Sequence, residues 1–210
     1  MEKEVLEILN KLENNHFEAY IVGGYVRDYI LNRETNDIDI ATNARPDDII
    51  KIFNDKKMLV NKRFGNVVID DVEITTFRKD EYNDSRFPKI TYVRTVNEDS
   101  KRRDFTINAL YMNKNYEIID CCHGMEDLTN KIIKTIKDPS ISFNEDPLRI
   151  IRAIRFAKIL NFEIEKETLL ALKNYAYKLQ EISKERINKE IKKGIPYGVL
   201  EKEYDFVLKK

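Results

Sequence analysis

The 210-residue sequence has no tryptophan and only two histidines and two cysteines. Cys121 and Cys122 are neighbours, so they supply neither a disulfide framework nor the spaced pairs of a zinc site. They read as free thiols of a reducing compartment, the cytoplasm. His16 and His123 stand in no ligand spacing and are read as incidental. No apolar run approaches the roughly 20 residues needed to span a bilayer. The first fifteen residues form a charged helical pattern without the apolar core of a signal peptide. Net charge is missing too, because 37 Lys and Arg balance 37 Asp and Glu. No global field draws the chain to nucleic acid, so a polyanion would have to meet a local basic surface.

What remains is a charge-rich globular chain, long enough for one large domain or two small ones, with no internal repeat. Val5, Ile8, Leu9 and Leu12 recur at helical spacing and predict an amphipathic first helix. Ala19 to Val22 reads as a strand that stops at Gly23-Gly24, followed by a helix over Val26 to Leu31. Asp37 to Ala41 alternates acid and apolar residues, as a strand with two different faces does. A turn over Thr42 to Pro46 leads to a short helix, Asp47 to Asn54. Val67 to Ile69 and Val72 to Phe77 pair as strands around a tight turn at Asp70-Asp71. Arg78 to Arg103 is polar and charged apart from Ile90 to Val93, and reads as a long, partly mobile loop. Phe105 to Met112 is expected as a helix, Glu117 to Ile119 as a strand, and Met125 to Asn130 as a short turn or helix. After Asp138-Pro139 the pattern is helical, over Pro147 to Leu160, Lys166 to Glu181 and Lys184 to Lys193. The plan is an α+β domain over residues 1–137 and an all-helical one over 138–210.

Residues two apart in a strand point to the same side, so Asp37 and Asp39 present two carboxylates together while Ile38 and Ile40 face the core. Like charges held that close repel, and a divalent cation relieves them. Mg²⁺ is suited, since it takes a few carboxylate oxygens and completes its shell with substrate phosphates. Glu73, on a neighbouring predicted strand, is the candidate third carboxylate. The plain alternative is a solvated face of an edge strand. Upstream, Gly23-Gly24-Tyr25-Val26-Arg27-Asp28 makes a strand, a glycine turn and a helix start. Free backbone N–H groups there meet phosphate, and Arg27 adds a forked cation.

A second cluster is cationic. Arg149, Arg152 and Arg155 fall at intervals of three along an otherwise apolar helix that begins after Asp146-Pro147. Asp146-Pro147 alone would be helix punctuation, a cap and a first-turn proline. Buried guanidinium without a partner is costly, so an anion should meet the stripe, either a triphosphate or the acidic first domain.

Four motifs in order resemble the tRNA nucleotidyltransferase and bacterial poly(A) polymerase family. They are Gly23 to Asp28, Asp37-Ile38-Asp39, Arg102 to Ala109 and Glu145 to Arg149. The resemblance implies a nucleotidyltransferase head of the DNA-polymerase-β type, a small mixed sheet flanked by helices, followed by a helical neck. It implies catalysis by Asp37 and Asp39 with two Mg²⁺ ions, beside which Glu73 stands as the candidate third catalytic carboxylate. Nucleotide binding falls to Gly23, Gly24, Arg27, Arg103, Asn108, Asp146, Arg149, Arg152 and Arg155. Within that set Asp146 and Arg149 would act as a protein template. Cytosine and adenine each place an amino donor beside a ring-nitrogen acceptor, which suits Asp plus Arg.

The implied reaction adds C and/or A from CTP and ATP to the 3′ end of tRNA. Poly(A) polymerase relatives carry a basic segment followed by a His-containing strand. Lys62 to Val68 here is closer to the tRNA enzymes, and the intact length of the segment from Arg78 to Arg103 argues against A-only addition. Poly(A) synthesis, or an inactive nucleotide-binding module, is the alternative. The chain departs from the pattern at Asn66, at Cys122-His123-Gly124 and at Ser142, where the family usually has Thr, a Gly-Gly and Arg. The pattern decays after Gly194, and the family's body and tail domains are expected to be absent. The chain then reads as a fragment, a truncated product or a minimal enzyme.

Overall fold

Val5, Ile8, Leu9 and Leu12 lie on one face of the first helix, α1 (Lys3–Asn14), and all four are buried. Each contributes roughly 1.5–3 kcal/mol by leaving water. The computed structural model describes residues 3–35, 37–82, 88–196 and 198–207. It divides into two units, Met1–Arg103 with Ile107–Gly124 and Asp104–Thr106 with Met125–Lys210.

In the first unit, α1 packs on β1 (Ala19–Val22) and on α3 (Pro46–Ile52). The chain leaves β1 through Gly23 into α2 (Gly24–Ile30) and returns as β2 (Asp39–Thr42), antiparallel to β1. Pro46 opens α3, where its missing N–H costs nothing, and the Asp48 carboxylate accepts the Arg45 N–H at 3.1 Å. Next come β3 (Met58–Asn61), β4 (Asn66–Ile69) and β5 (Val72–Thr76). Asp70 and Asp71 both have positive φ and join β4 to β5 with Ile69 opposite Val72, which is the two-residue hairpin turn that matches strand twist. The sheet is completed by β8 (Leu110–Met112) and β9 (Ile118–Asp120), in the order β3-β4-β5-β2-β1-β8-β9. It is mixed, since β2 and β5 run parallel while the other neighbours run antiparallel.

Three expectations for this unit need correction. The segment read as a loop holds a hairpin, β6 (Arg78–Glu81) and β7 (Lys89–Tyr92), and a short helix, α4 (Val96–Ser100), capped by the Thr95 hydroxyl. The middle of that segment, residues 83–87, lies outside the described residues. The helix expected over Phe105 to Met112 is a 3-10 turn, Thr106–Asn108, followed by β8. Every residue of β8 is buried and the strand is paired on both edges, so the apolar alternation that marks a half-exposed strand is absent. The strand β2 starts at Asp39, with Asp37 just before it.

The second unit holds α5 (Gly124–Thr129), α6 (Pro139–Glu145), α7 (Leu148–Leu160), α8 (Lys166–Tyr175), α9 (Lys184–Lys192) and α10 (Val199–Glu203). A 3-10 segment, Ala176–Glu181, separates α8 from α9. The unit is not purely helical. Its short strands β10 (Ile132–Ile133) and β11 (Glu163–Ile164) pair in parallel, and Phe105 bridges to Thr135. These pairings tie residues 125–137 to the helices, so the division expected at residue 137 falls at Gly124. The central helix is α7, with Ile150, Ile151, Ala153 and Ile154 fully buried. It ends at Asn161 in the left-handed region, a conformation that asparagine tolerates.

Candidate functional site

The parallel pairing of β2 with β5 sets Asp39 beside Glu73. Ile38 and Ile40 are buried while Asp37 and Asp39 reach solvent, so the two acids share a side as the alternation requires. Asp39 is exposed yet crowded by other charges. Partial burial pushes its carboxyl up to about 6, the Glu73 and Asp37 charges push the same way, and Arg103 offsets part of the rise. Two hard oxygen donors that repel each other suit a divalent cation. Glu73 is hydrogen-bonded to a residue of the neighbouring strand β4. Its Oε1 accepts from Asn66 Nδ2 at 2.8 Å, and among the described residues no three His, Cys, Asp or Glu side chains converge on a metal position. A cation on Asp37 and Asp39 would take its other ligands from water and phosphate.

Gly23 has φ 81° and ψ −134°, a conformation that only glycine adopts readily, and no side chain caps the start of α2. Arg27, one turn on, is buried and doubly bonded to Asp28, Nε to Oδ1 at 2.9 Å and Nη2 to Oδ2 at 2.7 Å. Its Nη1 donates to Asn108 Oδ1 at 2.7 Å. Arg27 and Asn108, two of the expected nucleotide contacts, are thus joined to each other.

Arg103 is held by residues that the motifs did not single out. Its Nε donates to the Tyr111 hydroxyl at 2.9 Å, its Nη2 to Asp99 Oδ2 at 3.1 Å, and the guanidinium lies 5.0 Å from the Tyr111 ring centre. Asp99 is fully buried and also accepts from Arg102 Nε, the Tyr111 hydroxyl and the Arg78 N–H. Burial alone would raise the Asp99 carboxyl, but Arg103 and Arg102 hold it well below the usual range. The signal was present in the sequence, an acid three and four residues ahead of two arginines.

In the second unit the arginine stripe meets carboxylates and a hydroxyl. Arg152 grips Asp104 Oδ2 through Nε at 2.8 Å and Nη2 at 2.5 Å. Burial would raise the Asp104 carboxyl, yet the Arg152 charge and hydrogen bonds hold it at about 2. Arg155 Nε lies 3.2 Å from Glu190 Oε2 on α9, with the guanidinium over the Phe156 ring. Arg149 Nη1 donates to the buried Ser142 hydroxyl at 2.9 Å and lies 3.6 Å from Glu145 Oε2. The anions facing the stripe are therefore Asp104, Glu145 and Glu190 of its own unit. Asp104 falls within the stretch read as the first domain but packs with the second. Asp146 ends α6, and its Oδ1 accepts the Leu148 N–H at 3.1 Å, the capping contact that its position before Pro147 suggested.

Two family models match the chain, the poly A polymerase head domain over residues 19–134 and the probable RNA and SrmB-binding site of polymerase A over 161–199. The CCA-adding enzyme of Staphylococcus epidermidis is 47% identical over 205 residues, covering 93% of this chain and 51% of the relative. A solved structure of the Bacillus stearothermophilus CCA-adding enzyme in complex with CTP superposes with a TM-score of 0.84 at 39% identity, over 92% of this chain and 49% of that one. The Thermotoga maritima CCA-adding enzyme complexed with tRNA gives a TM-score of 0.80 at 25% identity, over 99% and 52%. The chain spans about half the length of the relatives it matches. It has the polymerase-β-like nucleotidyltransferase head, and it belongs to the tRNA nucleotidyltransferase and poly(A) polymerase family.

Proposed function

We propose that the chain carries out nucleotidyl transfer to the 3′ end of tRNA, adding C and/or A from CTP and ATP and releasing pyrophosphate in the cytoplasm. The observation that carries this reading is Asp39 beside Asp37, with Glu73 alongside on β5, in the family's head domain. The CTP and tRNA held by the Bacillus and Thermotoga relatives support the substrates. Among the described residues no helix is long and apolar enough to cross a membrane.

Asp37 and Asp39 would hold Mg²⁺, which supplies charge neutralisation for the triphosphate and a lowered pKa for the attacking hydroxyl. The glycine turn at Gly23-Gly24, Arg27 and Arg103 bind and orient the triphosphate. Asp146 accepts from the amino group of cytosine or adenine while Arg149 donates to the adjoining ring nitrogen. Arg152 and Arg155 supply positive charge beside the base that Asp146 and Arg149 read. Uracil and guanine reverse donor and acceptor, which leaves the carboxylate facing a carbonyl, and such mismatches discriminate strongly. Ser142 and Glu145 fix Arg149 on one side, so its guanidinium is ordered before a base arrives.

The test is to incubate the 210-residue chain with each of the four labelled nucleoside triphosphates and tRNA lacking its CCA end. Incorporation of C or A, with U and G excluded, is expected. Long A-tails on unrelated RNA would instead identify a poly(A) polymerase, and nucleotide binding without transfer would identify an inactive module.

A further inference from the structure

Asp99 joins three parts of the first unit that are distant in sequence. It sits near the end of α4, accepts the Arg78 N–H at the start of β6 at 3.0 Å, and accepts the Tyr111 hydroxyl of β8 at 2.6 Å. Its remaining capacity goes to Arg102 at 2.8 Å and Arg103 at 3.1 Å. A fully buried carboxylate with this many donors keeps its charge and its orientation. Tyr111 cannot swing away to release it, since its ring is fully buried and packs edge-on against both Tyr20 and Phe77.

Arg103 is thereby fixed on two edges and one face. With Nε and Nη2 committed, Nη1 is the nitrogen left for an outside anion, and among the described residues it has no hydrogen-bond partner.

The geometry points to Asp99 as the positioning residue for Arg103, holding its free edge toward the phosphates of a nucleoside triphosphate and tying that orientation to the start of the β6–β7 hairpin. This rests on the reading of Arg103 as a triphosphate contact. Asp99 itself touches no substrate. It acts by denying Arg103 other rotamers, so its loss should matter only while Arg103 is present.

The experiment is a titration of CTP, with Mg²⁺, into the full 210-residue chain and its variants Asp99→Asn, Arg103→Ala, Tyr111→Phe and the Asp99→Asn/Arg103→Ala double variant. Asp99→Asn should weaken CTP binding roughly tenfold, the scale of one buried charge-assisted hydrogen bond. In the Arg103→Ala background it should add nothing. Tyr111→Phe, which keeps the ring and removes the hydroxyl, should weaken binding in the same direction and decides the matter if Asp99→Asn does not fold. A folded Asp99→Asn that binds CTP like the wild type, beside an Arg103→Ala that binds weakly, overturns the positioning role and leaves the Arg103 contact standing. Additive losses in the double variant also overturn it. Wild-type binding by Arg103→Ala overturns the reading on which the inference rests.

Discussion

Asp39 shows how one residue can be placed against its own ionisation. With its carboxyl at about 6 in the fold and near 3.9 in an unfolded chain, the protonated form is favoured by folding. Its ionisation therefore costs stability as pH rises from about 4 to about 6. A divalent cation on Asp37 and Asp39 needs the ionised form and reverses that cost. Mg²⁺ should accordingly raise the thermal midpoint at about pH 7.5 and much less at about pH 5. Equal shifts at both values, or none at either, would contradict the carboxylate pair as the cation site. The pair was legible in the sequence because strand alternation is local. The neighbours that tune it were less so. Glu73 was found as a neighbouring acid, but its bond to Asn66 depends on the β4–β5 register. Asp104 carries no local sign of its partner, since Arg152 lies 48 residues on.

At the scale of elements, the glycine turn gives a contrast between adjacent positions. A Cβ on Gly23 would meet nothing closer than the Asn108 carbonyl oxygen at 4.0 Å, so space is not what excludes a side chain. The backbone conformation is, and Gly23→Ala should lower stability by about 1–3 kcal/mol. Gly24, inside the first turn of α2, has ordinary helical backbone, with Arg27 Nη2 3.6 Å from such a Cβ. Gly24→Ala should be neutral or stabilise by up to about 1 kcal/mol. Denaturant unfolding of the two variants checks this, and equal losses would contradict it. Elements with a local signature were readable. The period of α1, the alternation of β2 and the Asp70-Asp71 turn each carry their own evidence in a few residues. Elements without one were missed. The edge strand β3 exposes Leu59 at 76% and has no buried face to impose alternation, while β8 is buried on both sides and reads equally well as helix. The hairpin of β6 and β7 is polar enough to pass for loop. The seven-residue helix α6 is two turns long and buries only Ser142 and Phe143, too little to show a period.

Over the whole molecule, each unit encloses a carboxylate that folding has made more acidic, Asp99 in the first and Asp104 in the second. For a depressed carboxyl the stabilisation is complete above the unfolded value and is lost as pH falls through the folded one. Stability should therefore decline as pH drops from about 4 toward the value of about 2 held by Asp104. Urea midpoints measured across that range should fall steadily, with a shallower fall for Asp104→Asn, and a flat profile for the wild type would contradict the buried pairs. Two-domain organisation was visible in the change of periodicity after Asp138. The point of division was not, since it depends on β10 finding β11 some 30 residues later. Family membership rests on motifs spread over both units, and the reaction rests on the acid pair. The most direct measurement is CTP incorporation into tRNA lacking its CCA end by the wild type and by Asp39→Ala, with thermal unfolding of both. Transfer by the wild type is expected, with a loss on the order of 10³-fold or more in a variant that still unfolds cooperatively. Near-normal incorporation by a folded Asp39→Ala would contradict the acid pair as the seat of the reaction.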